Sequence, residues 1–207
     1  MKRLDLAVLI GAVLAIALSS FTTFAQECDA VRENVVRLHI LANSDSQADQ
    51  ELKLAVRDAV LLGTAQLFSA SSDKTDTERE VLEHMDEIEA IAREEIQRQG
   101  YDYPVSVSLT NMFFETRQYE NFTMPAGYYD AVRILIGEGA GKNWWCVMFP
   151  PLCIPAASPK SEMTPTEQIR LIGTRPQYKA KLAVVELVET VADHFSGRSE
   201  QPVILPE

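Results

Sequence analysis

Only three cysteines occur in 207 residues. That is too few for a disulfide scaffold, so apolar burial has to supply the core. Histidine is as scarce: His39, His84 and His194 stand far apart, with no His-Glu-x-x-His and no Cys-x-x-Cys, so no metal site is expected. Basic charge is short, with 19 Lys+Arg against 30 Asp+Glu and a net charge of -11. A binder of nucleic-acid backbone needs a basic footprint, so nucleic acid is not an expected partner. Ten prolines and nine glycines exclude collagen-like and low-complexity chains, and 46% apolar residues exclude wholesale disorder. Catalytic signatures are missing too. There is no Gly-x-Ser-x-Gly, Asp-Thr-Gly or Asp-Ser-Gly. Thirty carboxylates make chance pairs inevitable, so no glycosidase pair is legible. The run Gly137-Glu-Gly-Ala-Gly-Lys142 lacks the spacing of a P-loop, and Asn143 stands where Ser or Thr would hold magnesium. It leads into Trp144-Trp145, which suits a strand, and reads as a flexible hairpin loop. No cofactor and no small-molecule substrate are expected.

What is present begins with an address. Lys2 and Arg3 precede an uncharged run, Leu6–Leu18, and a small-residue site ends at Ala25. This is the pattern of a secretory signal peptide over residues 1–25, leaving residues 26–207 as one domain. Thirteen apolar residues fall short of the ~20 that span a bilayer comfortably. The alternative is an uncleaved anchor that also uses Phe21 and Phe24. In that case the segment is the chain's one membrane contact. Glu27 before Cys28 does not suit lipid modification of that cysteine. Export permits disulfides.

Residues 35–42 (VVRLHILA) read as a β-branched strand, with Val36, Leu38 and Ile40 on one face and Arg37, His39 and Leu41 on the other. The polar turn Asn43-Ser-Asp-Ser46 follows, then a helix capped by Ser46, with Asp49 three on and Leu52, Val56 and Val60 inward. A single second helix is expected at 77–99, opened by Thr77 with Glu80 three residues later. From Pro104 the period becomes two, through Val105–Leu109, Phe113–Phe122, Tyr128–Ile136 and Asn143–Phe149. A final helix is expected at about 178–195, with Leu182, Val185, Val188, Ala192 and Phe195 inward. The last residues are expected to fray. Helices followed by a run of strands predict an α+β fold. It has an antiparallel sheet of about four to five strands, packed with about three main helices.

Cys146 and Cys153 flank Pro150-Pro151, and a chain that turns back there brings them within disulfide range. The competing reading makes Cys146 a nucleophile with His39 as base, in an exported hydrolase. His39 otherwise reads as a half-buried strand residue. Aromatic and polar residues mix in Phe114–Tyr119, Pro125–Tyr128 and Asn143–Cys146, and aromatics with Arg are the residue types of binding hot spots.

Three stretches carry a resemblance: Arg37–Ser46 with Asp49–Asp58; Glu115-Thr-Arg, Tyr119 and Pro125-Ala-Gly127; and Ile136–Gly141 with Asn143-Trp-Trp-Cys-Val-Met-Phe-Pro-Pro-Leu-Cys153. Across about residues 33–153 the chain resembles stage II sporulation protein R of endospore-forming bacteria. The resemblance implies a signalling protein without catalytic activity of its own. It would be exported from the forespore into the space between the forespore and mother-cell membranes. There it would activate a membrane-embedded aspartic protease of the mother cell, which processes pro-sigma-E. Contacts to the protease's external face are expected from His39, Asn43, Asp45, Arg117, Tyr119, Trp144 and Trp145.

Overall fold

The computed structural model describes residues 3–65, 71, 73–119, 122–150, 177–197, 200–203 and 205. The helices are α1 (Arg3–Glu33), α2 (Gln47–Thr64), α3 (Lys74–Glu83), α4 (Met85–Arg98) and α5 (Gln177–Ser196). The strands are β1 (Val36–Leu41), β2 (Val105–Phe114), β3 (Arg117–Gln118), β4 (Thr123–Met124), β5 (Gly127–Ile136), β6 (Asn143–Phe149) and β7 (Gln201–Pro202). Five strands form one sheet in the order β6-β1-β5-β2-β7, and β3-β4 stand apart as a two-stranded ribbon. The fold is α+β, and its sheet is mostly antiparallel. The exception is β1, which runs parallel to β5 (Leu38 opposite Val132) while pairing antiparallel with β6 (Leu38 opposite Cys146).

The alternation of β1 builds two cores. Val36, Leu38 and Ile40 join Val107, Val132, Ile134, Cys146 and Met148 beneath α2, α3 and α4, which supply Val56, Val60, Val81, Ile88 and Ile96. The opposite face carries Phe114, Tyr129, Ala131 and Val147, covered by Phe24, Cys28 and Val31 of α1 and by Leu182 and Val185 of α5. Helix α2 starts where the sequence places it: the Ser46 side chain accepts from the Asp49 amide at 3.1 Å.

Three expectations change. The helix expected at 77–99 is two helices. Asp73 caps α3, and the Thr77 hydroxyl lies inside it, donating back to the Asp73 carbonyl at 2.8 Å. At His84 the backbone leaves helical geometry (φ -110°, ψ 18°), so each helix lays its own short apolar stripe on the sheet. In α5 only Leu182 and Val185 of the expected inward stripe are buried; Val188, Ala192 and Phe195 are exposed, and the later turns meet the rest of the fold through Glu189 and Asp193, which pair with Arg32 and Tyr128. Gln201 and Pro202 do not fray. They pair with Asn111 and Thr110 of β2, and Glu200 meets Arg133 at 2.8 Å. Helix α1, which is compatible with a signal peptide, runs without a break through Ala25. Phe24, just before the expected cut, is buried, and Lys181 donates to the Ser20 hydroxyl at 2.8 Å. Helix α1 is long and apolar enough to cross a membrane.

At the α3–sheet contact, Lys74 reaches both Glu78 and Asp130, and Asn111 donates to Asp130 at 2.7 Å. Burial, with Asp130 close by, pushes the Glu78 carboxyl up to about 7, from an ordinary 4.5. Glu78 therefore stays protonated in the fold where the unfolded chain ionises. Its contribution is complete below about 4.5 and declines as pH rises toward 7. Glu78→Gln keeps the shape without the ionisation. We predict that it stabilises the protein relative to wild type at pH 8, by on the order of 1 kcal/mol or more, and not at pH 4. Paired urea titrations at the two pH values measure this.

Candidate functional site

Parallel pairing puts the exits of β1 and β5 at the same end of the sheet. The chain from β5 to β6 must then cross over the exit of β1, because β1 lies between them. The segment Gly137–Lys142 is therefore no flexible hairpin loop. It is a crossover pinned to the Asn43–Ser46 turn. Asn43 Oδ1 accepts from the Glu138 amide at 3.0 Å, and Asp45 Oδ1 accepts from the Lys142 amide at 2.7 Å. The Ala140 and Gly141 amides donate to the Asn43 and Ala42 carbonyls. From α2, buried Lys53 donates to the Lys142 carbonyl at 2.8 Å. Glycine is required here: a Cβ on Gly141 would sit 2.2 Å from the Ser44 carbonyl oxygen, and Gly137 holds a φ of +59° against Asn43. Asp49 ties the turn from below, accepting from Asn43 Nδ2 at 3.0 Å and Ser44 Oγ at 2.5 Å. These bonds, with that from Ser44 first, hold its carboxyl below the usual range.

The second cluster lies on the Arg37 face of β1. Arg37 is fully buried. Its guanidinium stacks 4.1 Å from the Phe114 ring centroid and 5.1 Å from that of Tyr129. Nη2 donates to the Tyr119 hydroxyl at 2.7 Å, Nε reaches the Cys146 carbonyl at 3.5 Å, and Nη1 has no partner. The Tyr119 hydroxyl in turn donates to the Trp145 carbonyl at 3.2 Å. Burial draws the Arg37 pKa below its usual value. Two residues on, His39 is 3% exposed, packed 5.2 Å from Trp145, with Nε2 donating to Asn143 Oδ1 at 3.0 Å and Nδ1 unpartnered. Exposed Arg117 lies over the Trp145 ring at 5.5 Å.

Of the seven residues expected to meet a partner, Arg117, Tyr119 and Trp145 come together at this surface, with His39 behind them. Asn43 and Asp45 sit at the crossover, their side chains engaged with the loop. Trp144 points to the other face of the sheet, under Arg57 at 4.5 Å. The same parity separates Cys146 from His39. Cys146 stands opposite Leu38 on the α2–α4 face, and His39 lies opposite Trp145 on the other. The nucleophile–base pair of the competing reading therefore does not form. Cys28 is a free, buried thiol. Cys153 lies outside the described residues, so the Cys146–Cys153 pairing remains a proposal. The one compact group of candidate metal ligands among the described residues is Glu80, Glu83 and His84 at the α3–α4 break. There His84 already pairs with Glu80 and Glu87.

Sequence reading missed Arg32. Arg32 Nη1 donates to the Ala126 carbonyl at 2.5 Å, and its Nη2 meets Glu189 at 3.0 Å, joining α1, β5 and α5. The signal was Pro125-Ala-Gly127. Gly127 holds a φ of +142°, and any Cβ there would meet the Arg32 side chain at 2.6 Å.

A family profile described as stage II sporulation protein R matches residues 32–158. Stage II sporulation protein R of Bacillus subtilis (strain 168) is 41% identical over 123 residues, covering 59% of this chain and 55% of the relative. The chain thus aligns with about half the length of that curated relative. No solved structure matches.

Burial lowers the His39 pKa below its ordinary 6.5. As pH falls, the unfolded chain takes the proton first. The His39 contribution is therefore complete above about 6.5 and is lost as pH drops toward the lower folded value. His39→Gln is expected to flatten the decline in Tm below pH 6.5. The largest slope one group can add is about 1.4 kcal/mol per pH unit. Melts of both proteins from pH 7.5 to 4.5 check it; parallel curves would place His39 outside the acid response.

Proposed function

The chain belongs to the stage II sporulation protein R family, and from that membership we propose that it is an exported activator in sporulation. In this reading the forespore exports it into the space between the two membranes. Its domain then engages the external face of a membrane-embedded aspartic protease of the mother cell, and the protease processes pro-sigma-E. The observation that carries the reading is the family match over residues 32–158, which takes in every strand from β1 to β6. The apolar helix α1 fits an exported protein. The separation of Cys146 from His39 favours a role through binding over the hydrolase alternative.

Activation by binding requires differential affinity. A partner shifts an idle protease only by as much as it prefers the active state, and a full switch needs roughly 10⁴-fold preference. The contact surface in this reading is Arg117, Tyr119 and Trp145, shaped from behind by His39. Asn43 and Asp45 hold the neighbouring crossover, and Trp144 supports the edge strand from its other face. We also read α1 as a retained anchor. Cleavage after Ala25 would remove buried Phe24 and the Ser20 partner of Lys181, and an anchored domain would stay at the membrane its partner occupies.

The test is reconstitution. The chain, the candidate protease and pro-sigma-E are expressed together in a non-sporulating host, and precursor size is followed on a gel. Shortening is expected to depend on this chain and to fall at least fivefold with Arg117→Glu in a protein of unchanged Tm. Matched losses with Cys146→Ser and Cys153→Ser would support their bridge. No shortening with an exported, folded chain would contradict the proposal, and full activity of Arg117→Glu would contradict the surface.

A further inference from the structure

Arg37 is the feature that the fold alone leaves unexplained. A buried cation is costly unless an anion and a full set of hydrogen bonds compensate it. Among the described residues no carboxylate forms an ion pair with it. Two aromatic rings, one hydroxyl and, at 3.5 Å, the Cys146 carbonyl take up part of its charge, and Nη1 is left without a hydrogen-bond partner. This stands in a chain with an excess of eleven negative charges, where a compensating acid would have been easy to supply.

We propose that the Arg37 guanidinium is a receptor for a carboxylate carried by a protein partner, an acidic side chain or a chain terminus, and that Tyr119 holds the place until the partner arrives. The cover is built to open. Tyr119 extends from the β3-β4 ribbon, whose ladder is two residue pairs long and, among the described residues, joins no other sheet. Its ring stacks on Phe122 at 4.6 Å and is only partly buried. Moving the phenol aside frees Nη2 beside the unpartnered Nη1. The two together make the planar fork that binds both oxygens of one carboxylate. Arg117 and Trp145 at the rim add a second cation and a large ring, residue types that concentrate binding energy. Behind the fork, neutral His39 donates through Nε2 to Asn143 and offers only an acceptor at Nδ1, so the inner wall adds no donor for the further oxygens of a phosphate, and a carboxylate is the better fit there.

The inference deepens the activator reading and rests on it for the partner, but its test does not use the protease. Full-length, ¹⁵N-labelled chain in detergent micelles is titrated with sodium acetate, and the Arg37 Nε–H resonance is followed. Sodium chloride at equal ionic strength and inorganic phosphate are the comparison arms. Arg37→Lys identifies the resonance by its loss. The expected result is a saturable shift with acetate and none with chloride. Tyr119→Phe, which removes the hydroxyl and keeps the ring, should tighten acetate at least threefold. Equal shifts with chloride, no saturable shift in folded Tyr119→Phe, or tighter binding of phosphate than acetate would overturn the proposal. Saturable acetate binding with no pro-sigma-E shortening in the reconstitution would leave the carboxylate site standing and the activator reading fallen.

Discussion

Strand β1 is the constraint on which everything else depends. It lies between a parallel and an antiparallel neighbour and is covered on both faces, so it has no solvent side to spend on polar residues. Val36, Leu38 and Ile40 meet this condition in the ordinary way, beneath α2–α4. Arg37 and His39 do not, and the second core is the answer to them: rings of Phe114, Tyr129 and Trp145 receive two side chains that water would otherwise hold. The parallel pairing with β5 also forces the crossover over the Asn43–Ser46 turn. From that follow the glycines at 137 and 141, the Asp49 anchor and buried Lys53.

Much of this was legible locally. Period-two alternation located β1, β2, β5 and β6, and the Ser46 cap located α2, because these signals depend on neighbours in the chain. The parallel β1–β5 pair was not legible, since strand partners are chosen by the whole sheet and nothing in VRLHIL encodes direction. The break at His84 was hidden for the same reason: α3 and α4 share a continuous helical pattern, and packing decides where it bends. At the site, parity alone assigns Trp144 and Trp145 to opposite faces. Both were expected at the partner surface, and strand alternation allows only one of them there. What Asn43 and Asp45 hold could not be read, because their partners lie 95 and 97 residues away.

Helix α1 joins the two halves of the functional account. Its apolar length suits a membrane, and its final turns are part of the second core through Phe24, Cys28 and Val31. Arg32 then fixes α1 to β5 and α5. The surface formed by Arg117, Tyr119 and Trp145 belongs to the same face of the sheet that α1 covers. Under the proposed function, a partner in the adjoining membrane would meet a domain whose orientation is set by its own tether.

The most direct measurement is amide hydrogen exchange on the full-length chain, resolved to single residues. If β1 is the covered centre of the sheet, the amides of Arg37 to Ile40 exchange at the rate of global unfolding, the slowest in the protein. The Gln201 amide of edge strand β7 exchanges orders of magnitude faster. Exchange of the β1 amides as fast as that of Gln201 would contradict the sheet order and the two-core account built on it.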